Sequence, residues 1–337
     1  MQTKEEDVVT NLFVANTHTQ LLFFTTDGMA YKLKTWRLPL GSRTAKGKAI
    51  VNILPIPTGV SIAAIMPVDR PEDEWDDLQV VFATSAGTVR RNALSDFTNV
   101  KSNGKIAMKF EGEHEGTTLI NARICSHDDD VMLTTDSGRA IRFPTTDVRV
   151  FNSRASVGVR GIKLQGQDKV VSMSVIRHFD AEAEERAAYL KMRRAMAGLT
   201  DDAERDEDEA APGQISQERY AQMSAAENLI LTITAKGLGK LSSSHDYPVR
   251  GRGGMGVTAI DKAMRGGTIV SSFPVDTNDQ IMLVTSAGQS IRVPVEGISF
   301  RSRSAGGVKV FDTGKGEEVV SVAWIAEQDD EDNATEV

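Results

Sequence analysis

One short pattern recurs five times in this chain: an apolar run, a polar turn ending in glycine, then a second run carrying Lys or Arg. It stands at Val131-Met-Leu-Thr-Thr-Asp-Ser-Gly-Arg-Ala-Ile-Arg142, and again at Leu21 to Lys34, Val80 to Arg91, Leu229 to Lys240 and Ile281 to Arg292. Each copy reads as a β-hairpin, because glycine supplies the positive φ that a tight turn needs. A repeated hairpin cannot bury its own faces, so the chain must fold as an array of like units.

The hairpin glycines are Gly28, Gly87, Gly138, Gly237 and Gly288, separated by 59, 51, 99 and 51 residues. The third gap is too long by 48 residues, which matches an acidic segment beginning near Asp180. That segment is therefore read as an insertion (180–227) into one repeat rather than a domain boundary. Repeats of about 50 residues, each with four short Val-, Ile- and Thr-rich strands, predict an all-β, propeller-like array. Helix is expected only inside the insertion, over Ala181 to Ala197 and Gln217 to Ala226, with a disordered acidic run, Thr200 to Gly213, between them. The expected organisation is one β domain over residues 1–326, closed by a strand over Val319 to Ile325, and a disordered acidic tail, 327–337.

Charge divides the same way. The net charge of −8 hides an insertion at −7 and a tail at −6, so the rest of the chain is at +5. Basic repeats with acidic appendages suit a polyanionic partner better than the total suggests. No run approaches eighteen uninterrupted apolar residues, the N-terminus lacks the pattern of a secretory signal, and the single cysteine, Cys125, excludes an internal disulfide framework. Together these predict a cytoplasmic protein.

The positive charge collects in loops. Each hairpin glycine is followed after 17 to 20 residues by a loop glycine: Gly47, Gly104, Gly158, Gly256 and Gly307. Arg43, Lys46 and Lys48 flank the first, Lys101 and Lys105 the second, Arg154, Arg160 and Lys163 the third, Arg250 and Arg252 the fourth, Arg301, Arg303 and Lys309 the fifth. One such loop is ordinarily a solvated turn. Five in a radial array would form a basic belt for a polyanion held through its phosphates, with Gly N–H groups and hydroxyls adding contacts that carry no sequence information. The cations of the second hairpin strands, Lys32, Lys34, Arg90, Arg91, Arg139, Arg142, Lys236, Lys240 and Arg292, fit two readings: further phosphate contacts, or the outward face of an edge strand.

Catalytic motifs are absent. Gly251 to Gly256 matches G-x-G-x-x-G, but Tyr247-Pro248 precedes it and a strand-like Val257 to Ile260 follows, where a dinucleotide site requires a strand and then a helix. Gly47-Lys48 is followed by Ala49 and fails as a phosphate loop. His18, His114, His127, His178 and His245 are scattered, without metal-ligand spacing. No catalytic or metal site and no cofactor is assigned.

Several runs carry a family resemblance: Val14-Ala-Asn-Thr-His18, Ser42-Arg-Thr-Ala-Lys-Gly-Lys-Ala-Ile-Val-Asn52, Gly158-Val-Arg-Gly-Ile-Lys-Leu164 and Asp279-Gln-Ile-Met282. In order and spacing the chain resembles the C-terminal domain of the DNA gyrase A subunit, over all but the insertion and the tail. The resemblance implies a β-pinwheel of about six four-stranded Greek-key blades, with duplex DNA bent around a basic rim. It also implies two protein partners, the gyrase B subunit and the cleavage core in the N-terminal part of the A protein, in a holoenzyme that uses ATP and Mg on other domains to supercoil DNA negatively. The family's Gln-Arg-Arg-Gly-Gly-Lys-Gly box is absent here, and five hairpins against about six blades suggest that the chain begins just after that box. None of Tyr31, Tyr189, Tyr220 or Tyr247 lies in the context of the family's catalytic tyrosine. Two alternatives stand beside this reading: the related C-terminal domain of topoisomerase IV, and a propeller scaffold whose basic belt meets an acidic protein.

Overall fold

In the computed structural model, residues 13, 15–41, 47–196, 198, 211–261 and 266–325 are described. All five predicted hairpins form: β1 (Gln20–Thr25) with β2 (Met29–Lys34), β4 (Gln79–Thr84) with β5 (Thr88–Ala93), β8 (Asp129–Thr135) with β9 (Arg139–Pro144), β12 (Leu229–Thr234) with β13 (Leu238–Ser243), and β16 (Gln280–Thr285) with β17 (Ser290–Pro294).

The turn has one local cause in all five copies. A threonine three residues before the glycine, Thr25, Thr84, Thr135, Thr234 or Thr285, is buried. Its Oγ1 accepts from the backbone N–H four residues on, at 3.2 to 3.3 Å. The glycine N–H donates back to the threonine carbonyl, at 2.9 to 3.1 Å. The glycines sit at φ +73° to +91°, where other residues would be strained.

A third strand flanks each hairpin on the side of its first strand: β3 (Ile62–Val68), β7 (Leu119–Cys125), β11 (Val170–Arg177), β15 (Ile269–Val275) and β19 (Val319–Ile325). The fourth strand comes from elsewhere. β6 (Lys105–Ile106), which follows the second hairpin, pairs with β2 of the first. Likewise β10 (Val159–Arg160) pairs with β5, β14 (Val257–Thr258) with β9, and β18 (Val308–Lys309) with β13. The repeat spacing in the sequence assigns each glycine loop to the hairpin before it; the chain instead carries loops 2 to 5 back to the sheet of the preceding repeat. Among the described residues, four blades are four-stranded and the fifth, β17-β16-β19, has three strands.

Blades stack face to face, which is why the first hairpin strands are continuous apolar runs rather than alternating ones: both faces are buried. Phe24 of blade 1 meets Phe82 and Phe97 of the second repeat edge-on, with ring centroids 5.2 and 5.4 Å apart, beside the fully buried Trp75. Separate apolar layers follow around Leu133 and Phe143, around Ile230 and Tyr247, and around Leu231 and Leu283. The insertion supplies two helices, α1 (Ala183–Met196) and α2 (Gln217–Ala225), close to the expected spans. Most of the acidic run between them, and the tail after 325, lie outside the described residues.

Candidate nucleic-acid interface

The crossing of loops 2 to 5 to the preceding blades brings these basic loops together. Successive loops are hydrogen-bonded to one another along one edge of the blades. In the third loop, Arg154 donates from Nε to the Ile106 carbonyl of the second at 3.1 Å. In the fourth, Arg252 donates from its guanidinium to the Arg160 carbonyl at 3.0 Å and from Nε to the Asp147 carbonyl at 2.9 Å. In the fifth, Arg303 donates to the Thr258 carbonyl at 2.7 Å and from Nε to the Asp246 carbonyl at 2.8 Å. Lys163 N–H donates to the Gly254 carbonyl and Gly253 N–H to that of Gly161. Loops 2 to 5 are thus one continuous rim.

Arg154, Arg252 and Arg303 occupy one register, four residues before their loop glycine. Each is a rivet between neighbouring repeats, and Arg252 and Arg303 use the fixed fork of guanidinium donors to join two carbonyls. This corrects the sequence assignment most clearly at Arg303. It is 4% exposed, and its carboxylate neighbour Asp246 lies 3.6 Å from Nε, so its charge is committed inside the rim. Lys105 is also drawn inward, donating from Nζ to the Asp96 carbonyl at 2.6 Å. Lys48, Lys101, Arg160, Lys163, Arg250, Arg301 and Lys309 are exposed, and Lys309 makes a surface pair with Asp312 at 2.9 Å. Arg43 and Lys46 lie outside the described residues.

The loop glycines permit the crossing. Gly158 and Gly256 sit at φ +93° and +69°, and a Cβ on either would overlap a backbone carbonyl of the preceding blade, Val89 or Ala140. Gly47 in the first loop has no atom within 4 Å of an added Cβ.

Four of the hairpin cations fit neither of the two sequence readings. Arg90, Arg91, Arg142 and Lys240 are 0 to 4% exposed. Arg90 donates to the carbonyls of Ala107, Arg154 and Ser156, and at 2.8 Å to the Asn92 side chain. Lys240, in the same register three residues past its hairpin glycine, donates to Ser302 at 2.9 Å, to Arg303, and to Ala305 at 2.8 Å. Burial lowers Arg90 to about 10 and Lys240 to about 7, yet three carbonyl acceptors require the three protons of an ammonium at Lys240. Arg90 and Lys240 thus shape the third and fifth loops by holding their carbonyls. The sequence signal for this was the pair Arg90-Arg91: adjacent strand residues face opposite ways, and in a strand buried on both faces neither reaches solvent.

Arg142 binds Asp130 at 2.7 Å and the Ser244 carbonyl at 2.8 Å, tying blade 3 to repeat 4. The G-x-G-x-x-G stretch runs into the two-residue strand β14 and not into a helix. No group of three metal-ligating side chains occurs among the described residues, and no helix of the described residues is long and apolar enough to cross a membrane.

Stacked antiparallel blades, the first four each completed by a strand from the next repeat and joined along a rim of cationic loops, define a β-pinwheel of the propeller class. The family model described as "DNA gyrase C-terminal domain, beta-propeller" matches residues 19–69, 79–117, 129–177, 228–276 and 279–323, one segment for each repeat, and passes over the insertion. The chain belongs to this family. It is 44% identical over 97% of its length to the DNA gyrase A protein of Granulibacter bethesdensis, and 34% identical over 98% to that of Salmonella typhimurium, spanning 36% and 31% of those proteins. Solved structures of a gyrase A C-terminal domain (TM-score 0.65, 20% identity, 93% of this chain and 84% of that one) and of the C-terminal domain of topoisomerase IV (TM-score 0.67, 19% identity, 92% and 80%) share the fold.

Proposed function

We propose that this chain binds and wraps duplex DNA around the rim formed by its basic loops, as the C-terminal domain of a gyrase A protein. The observation that carries this reading is the continuity of the rim. Loops 2 to 5 are linked in sequence and leave Lys101, Arg160, Lys163, Arg250 and Arg301 exposed along it. Cations repeated from loop to loop along one edge would neutralise phosphates without reading bases, and the many contacts would offset the cost of bending the duplex. Residues 1–326 would act as one DNA-binding unit. In the holoenzyme its partners would be the N-terminal cleavage core and the gyrase B protein, with ATP and Mg on other domains, in the cytoplasm at the nucleoid. The domain itself would contribute geometry to negative supercoiling and no bond chemistry.

The topoisomerase IV reading shares the fold equally well, but the sequence relatives at 34 to 44% identity are gyrase A proteins, which favours gyrase. Mobility shifts across a salt series test the proposal: binding should weaken steeply as salt rises. Salt-independent binding, or none at low salt, would overturn it, and capture of an acidic protein in place of DNA would support the scaffold alternative.

A further inference from the structure

The acidic insertion is docked, and it is docked on the roots of two rim loops. The helix pair is first a unit in itself. Glu185 and Arg219 pair at 3.0 Å, Tyr189 and Tyr220 stack with centroids 4.9 Å apart, and Tyr189, Leu190 and Met223 are buried. It then grips the turn Ser244–Asp246, from which the fourth loop springs. His245, 3% exposed, donates from Nε2 to the Met223 carbonyl at 2.8 Å and lies edge-on to Tyr189 at 5.1 Å. The adjacent Asp246 accepts the Arg303 N–H at 2.8 Å, so the same turn fixes the fifth loop. On its other side α1 reaches that loop directly: the Arg193 guanidinium lies 4.7 Å from the Phe300 ring centroid, while its Nε donates to Glu227 at 3.1 Å. Phe300 bridges to Leu241, and Arg301 N–H donates to the Leu241 carbonyl at 2.7 Å.

We infer that the insertion is a brace. By holding His245 from one side and Phe300 from the other, the helix pair fixes loops 4 and 5 at a set spacing, and so sets the curvature that this sector of the rim imposes on DNA. The consequence for DNA rests on the proposed function; the bracing itself does not. An insertion that is only tolerated at the surface needs no buried aromatic contact with a neighbouring repeat, and the cost of ordering two helices is offset here by the burial of Tyr189, Leu190 and Met223.

Hydrogen exchange on the full chain tests the brace, using Arg193→Ala as a local variant and replacement of residues 181–227 by a short Gly-Ser linker as the complete one. Peptides over 247–256 and 299–307 should exchange about tenfold faster in the replacement. Arg193→Ala should accelerate the second peptide, and peptides over 101–106 and 154–160 should not change. Unchanged exchange at 299–307 in Arg193→Ala, which does not depend on the larger deletion folding, would overturn the brace. On duplexes long enough to wrap, fluorescence transfer between the DNA ends should fall in both variants, while affinity for a short duplex holds. If wild type binds no DNA but the exchange shifts appear, the wrapping proposal fails and the brace stands.

Discussion

Lys240 donates from its ammonium to the carbonyl of Ala305 at 2.8 Å, across 65 residues of sequence. A strand cation of one repeat thereby fixes the basic loop of the next. Lys240→Met leaves the Ser302, Arg303 and Ala305 carbonyls without their donor, and should destabilise the domain by about 3 kcal/mol in urea unfolding. Lys240→Arg should recover most of that stability, because Arg90 performs the same task in the same register. Equal destabilisation in both variants would mean that packing and not the donor matters.

Gly158→Ala should cost about 2–4 kcal/mol, since it adds a strained positive φ to a clash with the Val89 carbonyl. Gly47→Ala, at a glycine with open space around it, should stay within about 0.5 kcal/mol. Thermal unfolding of the two variants side by side checks whether the crossing of the third loop, rather than glycine content, makes the difference.

Replacing Lys101, Arg160, Lys163 and Arg301 with Glu should weaken binding to duplex DNA. It should also reduce the slope of log K against log salt by roughly 0.9 for each phosphate no longer neutralised, about 3 to 4 in all. Arg303→Ala should act differently, lowering the unfolding midpoint because Asp246 and Thr258 are left without its guanidinium. An unchanged salt slope in the fourfold variant would place the DNA elsewhere.

His178 stands where β11 leads into the insertion. Its Nδ1 lies 2.8 Å from the buried carboxylate of Asp130, which Arg142 also binds, and its Nε2 lies 3.1 Å from Asp180. Burial pulls its pKa down, but the hydrogen bonds and charges of Asp130 and Asp180 outweigh this, so the net direction is up from 6.5. A raised folded-state pKa means stability that is fully present below the ordinary histidine value and fades as pH rises through the raised one. The difference in urea midpoint between wild type and His178→Gln should therefore shrink between about pH 6 and about pH 8, on either side of the histidine range. A difference independent of pH would refute this coupling.

Cys125 is buried, and burial pushes its thiol up to about 12. It should resist alkylation in the native protein and react once urea unfolds the chain; rapid native labelling followed by mass spectrometry would contradict this burial.

The amino-acid sequence by itself determined the local units. Threonine and glycine three residues apart specify each turn, apolar runs specify strands buried on both faces, and helix formers specify α1 and α2. These signals act over a few residues, so they survive without knowledge of the fold. The tertiary structure alone decided where each loop goes. A crossing strand such as Val159–Arg160 is two residues long, too short for any periodicity to name its partner, and only the stacked blades present the edge of β5 to it. The same stacking decided the fate of like-looking cations. Arg160 and Arg303 read alike in the sequence, but one lies open on the rim and the other is enclosed between Asp246 and Thr258. Whether a charge faces water or a neighbouring repeat depends on packing between segments far apart in the chain.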